Sequence, residues 1–268
     1  MTAFDPDAAA ALLLQARRPR GGKRVPLLPL PEGVHPQTLV QGVMVQRALA
    51  GLQHATRPAG FKIGATAQRM QRYLGLSGPA AGFMAASGLL GDGSTLDVDS
   101  FFRPGVECEL AVHLARDLPA GACTPGIARE AVGEVMAAIE IVENRYADLQ
   151  VFGAAAMVAD QVFHAAAVLG PPHDSWRELD FAGLRGDISV DGTVRDGGFG
   201  RDLVGGPFHA LAWLAGSAEA AAFGGLRAGQ VVMLGSVCPP VWLDRPAQIE
   251  VAFPPLPTVR LSLVKLAP

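Results

Sequence analysis

An α+β fold with a β-rich centre is predicted by three features of the sequence. From Gly60 onward the chain changes to short β-branched runs punctuated by glycine and proline. Seven of those runs read as strands, and the helices between several of them are short. Such a balance favours a mixed or antiparallel core over a doubly wound parallel sheet. With 50% hydrophobic and 18% charged residues in a chain of 268, there is ample apolar material for a large core.

Asp5-Pro6 reads as an N-cap followed by proline at the first helical position, and the Ala/Leu-rich run then supports a helix to about Arg18. Pro26, Pro29, Pro31 and Pro36 interrupt regular structure until Thr38. A second helix follows, with Leu39, Val40, Met44, Val45, Ala48 and Leu49 at helical spacing. Residues 1–55 are thus expected to form a helical segment ahead of a β-rich domain over 56–268. Strands are predicted near 61–63, 106–114, 135–142, 186–194, 230–234, 247–253 and 258–264. Helices are predicted over 67–74, 126–134, 148–156 and 208–222, the last opened by Pro207.

A net charge of −3 with no long Lys/Arg run excludes the electrostatic footprint of a nucleic-acid binder. The N-terminal stretch places acids before a short apolar run and bases after it, the reverse of a secretory signal, and no segment is long and apolar enough to span a membrane. The expectation is a soluble, cytoplasmic protein. Cys108, Cys123 and Cys238 are too scattered for a disulfide framework or a zinc site and read as small buried hydrophobes. Gly-x-Ser-x-Gly, Walker A and dinucleotide fingerprints are absent, and the six histidines lack metal-ligand spacing.

The most informative segment runs from Val106 to Leu114. On a strand Val106, Cys108, Leu110 and Val112 share one face, while Glu107, Glu109, Ala111 and His113 share the other. Two glutamates then point the same way, about 7 Å apart along the strand. Like charges so placed repel, and a divalent cation removes the repulsion. Glu140, enclosed by the apolar run from Ala137 to Val142, adds a third carboxylate that is costly to bury unless paired or metal-bound. The same pattern also fits a solvated strand face with a structural ion pair. Lys62, within Gly60-Phe-Lys-Ile-Gly64, is a candidate to hold a substrate carboxylate or to move protons. It equally fits a strand lysine whose stem lies along apolar surface.

Gly60-Phe-Lys-Ile-Gly64, Arg103-Pro-Gly-Val-Glu-Cys-Glu109, Ala138-Ile-Glu-Ile-Val-Glu-Asn-Arg145, Val158-Ala-Asp160 and Leu234-Gly-Ser236, in that order, resemble the 2-keto-4-pentenoate hydratase family. That family includes 4-oxalocrotonate decarboxylases and lies within the fumarylacetoacetate hydrolase superfamily. The likeness extends over roughly 38–264 and includes the helix pattern at 206–214. It implies a mixed β-roll core and a Mg²⁺ or Mn²⁺ site at Glu107, Glu109 and Glu140. Lys62 matches the active-site lysine, and Gly64, Asp160 and Ser236 match substrate-binding positions.

The activity implied is that of a lyase of aromatic-compound breakdown, adding water to 2-hydroxypenta-2,4-dienoate or a close analogue. Decarboxylation of a 2-oxo diacid, C–C hydrolysis, tautomerisation and a non-catalytic partner role are the alternatives. A homo-oligomer, and a complex with a related decarboxylase, are the partner expectations. The chain departs from the family pattern at Ala80, where an acid is usual after Pro79. It departs again at Gln161-Val162-Phe163-His164, where Asp-Asn is usually followed by small polar residues, and at Phe253–Pro257, which replaces a glycine-rich turn.

Overall fold

The computed structural model describes residues 3–17 and 26–266. Helix α1 (Pro6–Ala16) starts where Asp5 accepts hydrogen bonds from the N–H groups of Asp7 and Ala8. The expected end at Arg18 lies outside the described residues. Helix α2 (Leu39–Leu52) opens with a capping box, in which Thr38 accepts from the Gln41 N–H and the Gln41 side chain accepts from the Thr38 N–H. Ala9, Ala10 and Leu13 of α1 and Val45 and Leu49 of α2 belong to the main hydrophobic cluster.

Next come β1 (Gly60–Gly64), α3 (Gln68–Leu74), β2 (Ala80–Met84), β3 (Leu89–Gly91), β4 (Ser94–Asp97) and β5 (Pro104–Leu114). Helix α4 (Pro125–Ala131) leads directly into β6 (Val132–Glu143). They are followed by α5 (Leu149–Ala159), β7 (His164–Leu169), β8 (Arg185–Val190) and β9 (Thr193–Phe199). Helices α6 (Pro207–Ala215) and α7 (Ala218–Ala222) precede β10 (Val231–Ser236), β11 (Val241–Trp242), β12 (Ala247–Ala252) and β13 (Val259–Val264).

The strands form two mixed sheets. The larger has the order β2-β1-β10-β5-β6-β7-β3, with β11 on the end of β5, and the smaller has the order β4-β13-β12-β8-β9. Pairs β1–β10, β3–β7 and β4–β13 are parallel, and the other pairs are antiparallel. Strands β12 and β13 pack over β6, and β8 over β5, so the sheets meet face to face. Val106, Cys108, Leu110 and Val112 of β5 point into this shared core with Ile139, Ile141, Ile188, Ile249 and Leu261. The opposite face of β5 is thereby left for the glutamates.

Several elements differ from the sequence expectation, each for a tertiary reason. The single strand expected at 186–194 is a hairpin, β8–β9, turned at Asp191 and Gly192, both with positive φ. The expected helix over 126–134 stops at Ala131, because β5 captures Val132 onward as a strand partner. The expected helix over 208–222 breaks at Gly216, and Ser217 caps a new helix by accepting from the Ala220 N–H. Strands β2 (AAGFM) and β7 (HAAAVL) were not expected, since alanine and glycine carry little strand signal and pairing alone extends them.

Phe253, in the segment that departs from the family pattern, is fully buried, and its ring occupies the space left by the missing side chain of Gly186. Phe253→Ala is expected to lower the unfolding free energy by about 3–5 kcal/mol. Thr38→Ala, which removes one helix cap, should cost about 1 kcal/mol. Denaturant titration of both variants checks this ranking.

Candidate active site

Strand register assembles the site. Glu107 on β5 stands directly opposite Glu140 on β6, and Glu109 stands opposite Ala138, so the three glutamates share one face of the sheet. Lys62 on β1 pairs with Met233 on β10, which pairs with Ala111 on β5, and this row places Lys62 on that same face. One carboxylate oxygen from each of Glu107, Glu109 and Glu140 lies within 4.8 Å of the other two. Glu109 and Glu140 are fully buried and Glu107 is half-buried.

Two of the three carboxylates are oriented by separate contacts. The Gly235 N–H donates to Glu109 Oε2 at 3.0 Å. Gly235 sits at a bulge in β10 with φ +101, and a Cβ there would come within 2.4 Å of Thr66 Cγ2, so only glycine fits. Glu140 Oε1 lies 3.3 Å from Lys62 Nζ and 2.9 Å from His164 Nδ1. Glu109 Oε1 and Glu140 Oε2 are buried without a hydrogen-bond partner, at a cost of about 1–3 kcal/mol each. Two orphaned acceptors of neighbouring carboxylates, converging with an oxygen of Glu107, match the all-oxygen donor set of a hard divalent cation.

Protonation follows from the crowding. Burial pushes the Glu107 carboxyl up, Glu140 adds to this and Lys62 opposes it, with a result of about 8. Burial, Glu140 and Glu107 drive Glu109 well above the ordinary carboxylate range. Burial works against charge on Glu140 too, but Lys62 and His164 outweigh it and hold this carboxyl below its ordinary value. Burial likewise disfavours the Lys62 ammonium, and the three glutamates more than compensate, so its pKa is raised. Burial lowers the His164 pKa despite Glu140. The ring is therefore neutral, with Nδ1–H donating to Glu140 and a buried, unpartnered Nε2.

The substrate-binding candidates divide. Gly64 belongs beside Lys62, because a Cβ there would lie 3.1 Å from Lys62 Nζ and 2.6 Å from Val162 Cγ1. Ser236 faces Glu109 in the β10–β5 register, and its Oγ accepts from the Cys108 N–H and donates to the Cys238 carbonyl at 2.7 Å. Asp160 is not brought to the glutamates through its carboxylate, since one oxygen accepts from Arg17 and the other from Arg145 and Tyr146. His113 is 40% exposed, 3.9 Å from Glu134 and apart from the cluster. Cys108 and Cys238 are buried and Cys123 half-buried, all as free thiols.

His164 is the site residue that pattern reading missed. A register shift between Ile141 and Val142 breaks strict alternation along β7, so counting from a strand start does not find it. Two of the three departures from the family pattern are also neighbours in space: Ala80 and Val162 pack together with Met157 and Val158.

Residues 49–264 match the fumarylacetoacetate (FAA) hydrolase C-terminal family. The chain is 36% identical over 187 residues to a 2-keto-4-pentenoate hydratase of Burkholderia vietnamiensis, covering 69% of this chain and 70% of the relative. It is 31% identical to a 2-keto-4-pentenoate hydratase of Paraburkholderia xenovorans, covering 90% and 88% of the two chains. Its fold is similar to that of 4-oxalocrotonate decarboxylase from Pseudomonas putida G7, solved with magnesium and adipate. That likeness has a TM-score of 0.84 at 22% identity and covers 98% of this chain and 100% of the other. With this match over most of its length, and with its glutamates and lysine on one sheet face, the chain belongs to the fumarylacetoacetate hydrolase family.

Proposed function

We propose that the chain is a divalent-metal-dependent hydratase that adds water to 2-hydroxypenta-2,4-dienoate or a close analogue. The observation that carries this reading is the convergence of Glu107, Glu109 and Glu140 beside a buried Lys62, whose Nζ lies 3.3 Å from Glu140. Relatives named 2-keto-4-pentenoate hydratase, at 31–36% identity, supply the reaction class.

Glu107, Glu109 and Glu140 would hold Mg²⁺ or Mn²⁺, which supplies Lewis acidity at the 1-carboxylate and 2-oxygen of such an acid. Lys62 directs one N–H to the Val162 carbonyl at 2.9 Å and another to Glu140, leaving a third for a substrate oxygen. Being charged, it serves as a cationic clamp or proton donor rather than as a base. His164 engages Glu140 Oε1 and so turns Oε2 toward the cation site. Gly64 keeps space open beside the ammonium.

A second reading, decarboxylation of a 2-oxo diacid, is supported by the fold likeness to 4-oxalocrotonate decarboxylase over 98% of this chain. The chain is taken to work in the cytoplasm as a homo-oligomer. Exposed Leu39, Val40 and Met44 on α2 support the self-association, and no helix among the described residues is long and apolar enough to cross a membrane.

Calorimetric titration of metal-free protein with Mg²⁺ and Mn²⁺ should show binding that tightens with pH between about 6 and 8, releases protons and is strengthened by oxalate. Absence of binding removes the proposed function. Glu109→Gln should abolish metal-dependent turnover in a folded protein, whereas Lys62→Met should lower kcat by at least ~100-fold with little change in Mg²⁺ affinity. Carbon dioxide release from a 2-oxo diacid, without hydration of a dienoate, would select the second reading.

Stability should report the same crowding. Unfolded, the Glu107 carboxyl ionises near 4.5, whereas folded it keeps its proton to about 8. The folded state therefore binds more protons across this window, and metal-free protein should lose stability as pH rises through it. Saturating Mg²⁺ should flatten the decline, as read by melting temperature against pH.

A further inference from the structure

Asp160 ends α5 and begins an unusual stretch of backbone. Gln161, Val162 and Phe163 have φ of +55, +52 and +67, three consecutive non-glycine residues in the left-handed region. For β-branched Val162 this conformation is strained and persists only where the surroundings impose it. The restraint on one side is Gln161, whose Nε2 donates to the Phe83 carbonyl at 2.7 Å. Its backbone lies so close to Gly82 that a Cβ there would sit 2.5 Å from the Gln161 carbonyl oxygen.

The restraint on the other side is Asp160, which is completely buried. Its Oδ1 accepts from Arg17 Nη2 at 2.5 Å, and its Oδ2 accepts from Tyr146 Oη at 2.9 Å and from Arg145 Nη2. Arg145 also donates to Glu143 Oε2 at 2.6 Å, so two arginines balance two acids in a buried network. Arg17 reaches this network from the C-cap of α1, 143 residues away in sequence. The strained stretch delivers a single product to the glutamate site. The Val162 carbonyl accepts from Lys62 Nζ at 2.9 Å, while Val162 Cγ1 packs against Gly64.

We propose that Asp160 is a positioning residue and that Arg17 is the latch α1 contributes to it. With Arg145 and Tyr146, they hold the left-handed 161–163 stretch so that the Val162 carbonyl aims Lys62 at Glu140. Asp160 thus serves the reaction through Lys62 rather than by touching substrate. Only the kinetic arm of the test rests on the proposed hydratase activity.

The test compares Arg17→Met, Arg17→Lys and Tyr146→Phe with the unaltered chain. Lys62 is one of three lysines, with Lys23 and Lys265, so its acylation by N-hydroxysuccinimide acetate can be followed by peptide mass mapping of metal-free protein. Lys62 is 2% exposed and Lys265 is 69% exposed, which makes Lys265 the internal reference.

Arg17→Met is expected to raise Lys62 labelling at least ~10-fold with Lys265 unchanged, and Arg17→Lys to restore protection to within ~3-fold. In parallel, kcat with a 2-hydroxydienoate should fall at least ~10-fold in Arg17→Met, with KM and Mg²⁺ affinity within ~2-fold. Unchanged Lys62 labelling in a folded Arg17→Met protein, or a rise that lysine does not reverse, overturns the latch. If Arg17→Met fails to fold, Tyr146→Phe decides, since it removes only one hydroxyl from Asp160. A rise of at least ~3-fold in Lys62 labelling supports the proposal and none overturns it. An unaltered chain inert toward dienoates would sink the hydratase reading, while the labelling result would still decide the latch.

Discussion

Three carboxylates crowded on one sheet face, against a single lysine, form the constraint on which the rest of the structure depends. Glu107 and Glu140 are direct cross-strand neighbours, an arrangement that ordinary sheets avoid because like charges there repel. Burial compounds the repulsion by removing the water that would screen it. The response is uneven protonation, with Glu140 held charged by Lys62 and His164 while Glu107 and Glu109 retain protons well above the usual range. A divalent cation held there, as proposed, would displace those protons.

The two-sheet architecture is what makes this expensive arrangement stable. Alternation along β5 sends Val106, Cys108, Leu110 and Val112 into the core between the sheets, and the same alternation sends both glutamates to the other side. Burying one face therefore enforces the register of the other, because a one-residue slip would carry the carboxylates into the core. Lys62 obeys the same logic on β1, where parallel pairing with β10 fixes its row. The bulge at Gly235 is the local exception, and it turns a backbone N–H toward Glu109.

A second polar network supports the first from behind. Arg17, Arg145, Glu143, Tyr146 and Asp160 pair with one another around the end of α5, and that end leads directly into the carbonyl that Lys62 meets. Helix α1, remote in sequence, joins the chain's interior through Arg17 and through Ala9, Ala10 and Leu13. Departures from the family pattern at Ala80 and Val162 meet in one apolar cluster beside this stretch. A change at either position is thus felt at the other.

Local chemistry alone determined the α+β class, the caps of α1 and α2, the long strands β5 and β6, and the face shared by Glu107 and Glu109, since alternation and capping act over a few residues. The placement of Glu140 inside an apolar run also marked it as a carboxylate needing a partner. Tertiary structure decided what depends on pairing. Ala/Gly-rich β2 and β7 are strands because neighbours supply their hydrogen bonds, and Val132 leaves its helix because β5 offers a ladder. His164 reaches Glu140 only through a register shift in the ladder, and Asp160 is claimed by arginines that are distant in sequence or on another turn of chain. Period-two counting cannot foresee a bulge, and no local pattern records which buried charge will meet which, because that choice is made when the sheets and helices close on one another.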